Sequence, residues 1–525
     1  MTHAAKAHPA RTVLWVDDEA EQLEAHRLFL REKGYEVQWA RNADDAVELL
    51  RRHEFDIVLL DEQMPGKRGL EAYRELRELR PTIPVVMVTK SEEDATLREA
   101  LGANISEYLV KPVNPRQVHT VITRILDGPA IRQQAIAREF VEWFRAQQME
   151  PAPPHDWRAW IERYAEVSRW DVELAAAGET GLYASLRSLY PAMHREFSAF
   201  MKRAYPGWLR ELEGDRPPLS IDVVSEFVLP VLDRDRSVAL VVVDCLRLDQ
   251  WSVLEPLLAS RFEVETTHYY SILPTATPYS RNALFSGLFP GEIAARLPDL
   301  WFDKDDETLN AHERELLETH VHELRGYVPV RYTKISSAAD SDDLARHLSG
   351  ALAQDGISAF VFNFVDLLTH GRSESAILYE VARDEIALRS LTKQWFERST
   401  LFALLEEAAR RKVTVVLTSD HGSIHCNTPA TVFAKRDASM NLRYKFGEDL
   451  RSENPEQSLL YANPDDLRLP HRGPGVNTVL AVGDTFFVYP TKLREYQSRY
   501  RGSFLHGGVT PEEVIVPLAL LTPRA

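Results

Sequence analysis

Short apolar runs recur through the first part of the chain. Thr12-Val-Leu-Trp-Val-Asp-Asp18, a segment around Glu36-Val-Gln-Trp39, Phe55-Asp-Ile-Val-Leu-Leu-Asp61, Pro84-Val-Val-Met-Val-Thr89 and Ile105-Ser-Glu-Tyr-Leu-Val110 predict strands. Helical spacing predicts helices over Glu21–Gly34 and Ala43–His53. Unbroken β-branched runs between helices read as strands covered on both faces. The alternation implies a doubly wound parallel sheet with right-handed crossovers. Residues 129–212 change period. Ile136, Phe140, Trp143 and Phe144 form one helical stripe. Trp157, Trp160, Ile161, Tyr164, Val167 and Trp170 form a second, and Leu182, Leu186, Leu189, Phe197 and Phe200 a third. Five of the ten tryptophans lie between Trp143 and Trp208, too many for a solvated tether. A three-helix bundle is predicted, its stripes serving as core or as a subunit contact. Gly214-Asp-Arg-Pro-Pro218 marks a boundary, after which strand-like runs return. The predicted domains are 1–126, 127–218 and 219–525, in an α/β chain.

Charge and cysteine content narrow the function. There are 62 Lys and Arg against 79 Asp and Glu, a formal charge of −17, which argues against a duplex-DNA binder relying on bulk positive charge. A local basic pocket for a phosphorylated substrate remains compatible with that balance. Cys245 and Cys426 are the two cysteines, too few for a disulfide framework, so a cytoplasmic protein is expected. The stretch Met1 to Arg11 lacks the apolar core of a signal peptide, and no run of about 18 apolar residues predicts a membrane span.

In the first domain Asp17, Asp18 and Asp61 stand at strand ends and are expected to converge at one sheet edge. Clustered carboxylates repel, so magnesium is the natural tenant. A carboxylate beside magnesium can act as a nucleophile on a phosphoryl group. Lys111 offers a positive charge to the transferred oxygens and Thr89 a hydroxyl donor.

The third domain repeats the theme with a different set. The runs Ser237–Val243, Phe360–Val365 and Val413–Thr418 deliver Asp244, then Asp366 with His370 four residues on, then Asp420-His421. Three acids and two histidines from three strand ends suggest a metal site. In Pro274-Thr-Ala-Thr-Pro-Tyr-Ser-Arg-Asn-Ala-Leu-Phe-Ser-Gly287 a turn leads into a short helix, whose first backbone N–H groups face an anion. Thr275, Thr277 and Ser280 sit beside that start, and a hydroxyl on a metal becomes a better nucleophile. His506 precedes the final strand, Glu513–Leu521, and is a further candidate ligand. Asp, His and hydroxyl ligands without thiolate suit zinc, with manganese as the alternative. Cys245 and His268 read as packing residues. The long segment Asn427 to Tyr500 is either a cap shaping substrate choice or a surface excursion.

Residues 11–126 resemble a two-component response-regulator receiver. The resemblance makes Asp61 the phosphoacceptor, Asp17 and Asp18 the magnesium holders, Thr89 and Tyr108 the switch pair, Lys111 the invariant lysine, and Met64-Pro65-Gly66 the loop after the acceptor. Residues 219–525 resemble the alkaline phosphatase superfamily, specifically its PglZ-type domain. That resemblance implies two zinc ions per chain. One would take Asp244, Thr277, Asp420 and His421, the other Asp366, His370 and His506. Sulfatases of this superfamily carry Cys-x-Pro-Ser-Arg and its phosphodiesterases Thr-x-Pro-Asn. Counted back from Ser286-Gly287, both place the nucleophile at Thr277, with Thr275 as the alternative. Thr277 cannot become a formylglycine, which argues against a sulfatase. Tyr279 departs from the motif proline and Ser280 from the phosphodiesterase asparagine, leaving Arg281 and Asn282 as candidate donors to phosphoryl oxygens.

The whole layout resembles PorX-type response regulators of type IX secretion control. The fold class expected is a flavodoxin-like receiver, a helical bundle and an alkaline-phosphatase-like α/β domain. The resemblance implies phosphorylation by a sensor histidine kinase, homodimerisation on phosphorylation, and a zinc-dependent phosphodiesterase output acting on a nucleotide or oligonucleotide. A sigma factor is a further candidate partner. Two other classes stay open: a catalytically silent nucleotide- or protein-binding regulator, and a phosphotransferase or mutase using the same Thr277.

Overall fold

The computed structural model describes residues 11–90, 105–149, 153–301, 310–352, 355–371, 375–433, 439, 441–490 and 493–524. Residues 1–10, read above as lacking a signal-peptide core, lie outside that set, as do parts of the 427–500 segment. The chain forms two compact units, Met1–Glu139 and Phe140–Ala525.

In the first unit five parallel strands lie in the order Tyr35–Ala40, Arg11–Val16, Ile57–Asp61, Val85–Thr89, Glu107–Val110. The observed bounds differ from the predicted runs by one or two residues, with Arg11–Val16 and Tyr35–Ala40 starting a residue early. Period-two alternation sends Leu14, Val16, Val58 and Leu60 to one face and Val13, Trp15, Ile57 and Leu59 to the other. Both faces are covered, which is why these runs are apolar without interruption. Asn42 caps the helix Ala43–Arg52 by accepting from the Asp45 amide. Asn114 and Gln117 form a capping box at Pro115–Leu126.

The second unit takes in most of the 127–218 region along with residues 219–525. The helices Trp157–Ala177, Thr180–Arg187 and Tyr190–Arg210 pack within the same unit as the C-terminal sheet. The third stripe, read as one helix, breaks into two. The aromatic faces explain the merger. Tyr270 of the sheet stacks on Phe197 with ring centroids 6.4 Å apart and meets Trp208 edge-on at 5.2 Å. Its hydroxyl donates to the Trp157 carbonyl at 2.9 Å, and the Leu273 amide donates to the Tyr205 hydroxyl at 2.9 Å. A stripe read as core or as a subunit contact is thus shared with a strand.

The central sheet has six strands: Phe262–Tyr270, Ile515–Pro523, Thr414–Thr418, Ser237–Val243, Gly356–Phe362, Val330–Ile335. The last four run parallel, while Ile515–Pro523 is antiparallel to both its neighbours. Residues 424–505 add a small β module. Ile424–Cys426 pairs with Ser503–Leu505, and two three-stranded sheets enclose a core that includes Val432, Leu450, Val479 and Phe487. The described part of the segment is therefore a packed module with its own core and not a mere surface excursion. No helix among the described residues is long and apolar enough to cross a membrane.

Candidate active site

Sheet topology brings five chain segments to one edge. The parallel strands Ser237–Val243, Gly356–Phe362 and Thr414–Thr418 end there and release Asp244, Asp366 and Asp420-His421. Ile515–Pro523 runs the opposite way, so the chain before it, carrying His506, enters at the same edge. Phe262–Tyr270 is antiparallel to that strand and releases the 271–277 turn there. Asp366 does not follow its strand directly, although the run Phe360–Val365 predicts that it does. The strand stops at Phe362, and Asp366 and His370 sit one turn apart on the helix Phe364–Gly371.

Two groups of ligand atoms result, each within 4.8 Å: Asp244, Asp420 and His421, and Asp366, His370 and His506. In the first, His421 Nε2 lies 3.8 Å from Asp244, 3.7 Å from Asp420 and 3.0 Å from Thr277 Oγ1. His421 Nδ1 contacts the Gly422 carbonyl at 3.1 Å, which assigns the ring proton to Nδ1 and frees Nε2 as a ligand. In the second, His370 and His506 bring their Nε2 atoms within 3.0 Å, with Asp366 Oδ1 at 3.3 and 3.6 Å. The His421 and His506 rings stack at 4.2 Å and join the groups.

The electrostatics of the groups differ. Burial pushes Asp244 up to about 8, with Asp420 and Asp366 adding to the rise and Arg281 opposing it. Burial also raises Asp420. Burial would raise Asp366 too, but His370 and His506 override it and hold it below the usual carboxylate range. Burial keeps His421 and His506 below the ordinary imidazole value. Asp244 Oδ1, Asp366 Oδ1 and Asp420 Oδ2 are all buried without a hydrogen-bond partner. Orphaned carboxylate oxygens of this kind are costly unless a cation faces them. The residues therefore fit metal ions, and the oxygen and imidazole donors, without thiolate, fit zinc or manganese.

The hydroxyls of the 274–287 turn separate cleanly. Thr275 is fully buried; its hydroxyl donates to the Gly508 carbonyl at 2.9 Å and accepts from the Gly507 amide at 3.1 Å. Ser280 donates to the Ala276 carbonyl at 2.9 Å. Thr277, the first residue of the helix Thr277–Ser286, is the one set against His421.

Arg281 and Asn282, expected as donors to substrate oxygens, are both engaged within the protein. Arg281 is 2% exposed and inserted between acids, at 2.7 Å from Asp244 and 2.6 Å from Glu313, which also receives Lys334 at 3.2 Å and the Tyr332 hydroxyl. Asn282 is buried and donates to the Pro278 carbonyl at 3.0 Å. Arg281 positions Asp244 from behind. Arg281→Ala would strand Glu313 and Asp244, so a loss of about 3–5 kcal/mol in unfolding free energy is expected by denaturant titration. A near-neutral variant with altered substrate affinity would return Arg281 to the substrate face.

Sequence reasoning missed three contributors. Asn310 donates to the Thr277 carbonyl and to Asn282 Oδ1, both at 3.2 Å, and fixes the turn. Glu313 anchors Arg281. Arg443 of the β module pairs with Glu513, which also accepts from the Gly508 amide at 2.8 Å and Thr510 at 2.8 Å, and so shapes the loop carrying His506. Glu513 lies 70 residues from Arg443, and no local spacing links them. His268, Cys245 and Cys426 are not in the ligand groups; both cysteines are free and buried.

In the first unit Asp17, Asp18 and Asp61 group within 4.8 Å. Lys111 Nζ lies 2.8 Å from Asp61 and 3.1 Å from Asp17. Burial raises the Asp61 carboxyl, and Lys111 opposes the rise. Thr89 is buried at its strand end, and the Tyr108 hydroxyl is buried without a hydrogen-bond partner.

Comparison with known proteins divides the chain in three. Residues 223–521 match the BREX system PglZ alkaline phosphatase-like domain, 13–123 the response regulator receiver domain, and 130–209 the PorX response regulator linker domain. The transcriptional regulatory protein ResD of Bacillus subtilis is 37% identical over 106 residues, 20% of this chain and 44% of ResD. The alginate biosynthesis transcriptional regulatory protein AlgB of Pseudomonas aeruginosa is 31% identical over 171 residues, 32% of this chain and 37% of AlgB. The chain thus spans less than half the length of these relatives. A CheY-like receiver structure from Methanospirillum hungatei is 30% identical and covers 22% of this chain and 94% of its own, with a TM-score of 0.22.

Proposed function

The chain belongs to the PglZ alkaline phosphatase-like family, here joined to a receiver as in PorX-like response regulators, and from that we propose a response regulator whose output is a zinc-dependent phosphodiesterase. The observation carrying the reading is Thr277 Oγ1 at 3.0 Å from His421 Nε2, beside carboxylates that each keep one buried oxygen without a hydrogen-bond partner. Zinc ions held by Asp244, Thr277, Asp420 and His421, and by Asp366, His370 and His506, would supply positive charge to the phosphoryl oxygens and ease ionisation of the Thr277 hydroxyl. Thr277 Oγ1, its proton lost to solvent, would then bond to phosphorus as the bond to the leaving oxygen breaks and that oxygen takes a proton from water; a second water would attack the same phosphorus, breaking the Thr277 Oγ1–phosphorus bond and returning a proton to Thr277. Asn310 and Arg281 hold the turn and Asp244 in register. A nucleotide or oligonucleotide diester is the substrate class favoured by family resemblance, with control of type IX secretion as the setting and the cytoplasm as the location. Metal analysis with a panel of chromogenic phosphate monoesters and diesters tests the reading. Diester turnover dependent on bound zinc is expected. Metal bound without turnover of any ester would leave a silent binding module instead.

The receiver implies a cognate sensor histidine kinase. Phosphorylating Asp61 adds charge beside Asp17 and Asp18, to be compensated by magnesium and Lys111. Thr89 would turn toward the phosphoryl group and Tyr108 would follow it inward, biasing the face from Ile105 to Val113 toward pairing. Beryllofluoride with magnesium mimics the acyl phosphate. Sedimentation should then shift from monomer to homodimer, and Asp61→Ala should abolish the shift. An unchanged mass on adding the mimic would exclude assembly as the output.

A further inference from the structure

Behind the strand ends, a cavity of about 500 Å³ lies between the helices Trp157–Ala177 and Tyr190–Arg210 and the β module. No residue assigned above to metal binding or catalysis lines it, and its size suits a small molecule. Its wall carries six carboxylates, Asp171, Asp249, Glu385, Glu456, Asp484 and Glu512, against the guanidiniums of Arg187, Arg195 and Arg247. Two of these guanidiniums are already matched, Arg187 to Glu385 at 2.6 Å and Arg247 to Asp249 at 2.6 Å. Asp171 is satisfied by Arg389 at 2.8 Å and by the Tyr190 hydroxyl at 3.0 Å.

Glu512 is different. Its side chain is 9% exposed, and His194 Nε2 meets Oε1 at 2.8 Å, but Oε2 is buried with no partner. The open valence is an acceptor, in a wall with surplus negative charge. An anion entering here would meet carboxylates at every turn. A cation with N–H donors would complete Glu512 and balance the wall, while Ile424 and Val482 offer apolar contact to its stem.

We propose that this cavity is a second ligand site, for a small organic cation carrying an amine or guanidinium group, with Glu512 as its principal acceptor. The site backs directly onto the strand-end turn. A Cβ on Gly422 would fall 1.9 Å from the Glu512 carbonyl oxygen, and the Gly422 amide donates to the Glu513 carbonyl at 3.1 Å. Gly422 follows His421, so an occupant on Glu512 braces the layer behind that histidine.

The test is calorimetric titration of the full-length chain with agmatine, and separately with inorganic phosphate. It reads binding and is independent of hydrolysis. Agmatine should bind saturably at one site per chain, and Glu512→Gln should weaken it by about tenfold or more. The double variant Glu456→Gln/Asp484→Asn alters only half-buried or exposed rim groups and should weaken binding about threefold by removing charge. It carries the test if Glu512→Gln does not fold. No saturable agmatine binding, or unchanged affinity in the variants that fold, overturns the proposal. So does phosphate binding that is lost in Arg195→Ala, which would make the cavity an anion site.

Discussion

Replacing Thr277 by valine should lower diester hydrolysis by about a thousandfold or more, because the attacking oxygen is lost while shape is kept. The other two hydroxyls of the turn cannot take over. Thr275 is tied to Gly507 and Gly508, and Ser280 to the Ala276 carbonyl. Six of the seven proposed ligands remain, so the variant should keep most of its metal and its melting temperature. Thr275→Val should act differently. It removes two buried hydrogen bonds that fasten the loop carrying His506, at a cost of about 1–3 kcal/mol in stability. Its loss of activity should be smaller and accompanied by weaker metal retention. Steady-state kinetics, metal content and thermal melts on the two variants separate these effects. A dead Thr275→Val beside an active Thr277→Val would move the nucleophile by two residues.

That ambiguity could not be settled from residues alone, for a physical reason. Both threonines occupy one turn, and which hydroxyl faces the site depends on the Gly507-Gly508 loop, more than two hundred residues later. Asp244 and Asp420-His421 were legible because a buried parallel strand fixes where its carboxyl end must be. His506 was legible only as a residue before the last strand. What brings it to the same edge is the antiparallel direction of Ile515–Pro523, which an apolar run does not reveal. The ion pairs of Arg281 were not legible because a motif position states neither burial nor partners, and Glu313, Lys334 and Tyr332 come from separate elements. The helical stripes were recognised as core, but periodicity does not say which partner a face is buried against. Tyr270 and Tyr205 make that partner the C-terminal sheet.

Stripping the metal should abolish turnover and leave a chain whose stability falls as pH rises above the histidine range. As isolated, the chain should carry close to two zinc ions, and His370→Ala or His506→Ala should lose one of them with most of the activity. In the metal-free fold Asp244 titrates near 8, whereas an unfolded aspartate titrates at about 4. Between these values the folded chain binds a proton that the unfolded chain does not, so stability falls with pH. Below about 6.5 the depressed His421 and His506 act in the opposite sense, because the unfolded imidazoles then bind more protons. Asp366, held low, titrates outside this range. The clean window is therefore from about pH 6.5 to 8, where about 1–2 kcal/mol should be lost without metal. Bound zinc displaces the proton and should flatten the profile. Eight of the ten tryptophans lie in the larger unit, so their fluorescence follows its unfolding. Zinc added at pH 7 should release about one proton from Asp244, seen as calorimetric heats that vary with the ionisation enthalpy of the buffer. Buffer-independent heats with a flat metal-free profile would mean Asp244 is already ionised, and that Arg281 alone neutralises it. A chain that binds no transition metal, and whose hydrolysis none restores, would remove the enzyme reading altogether.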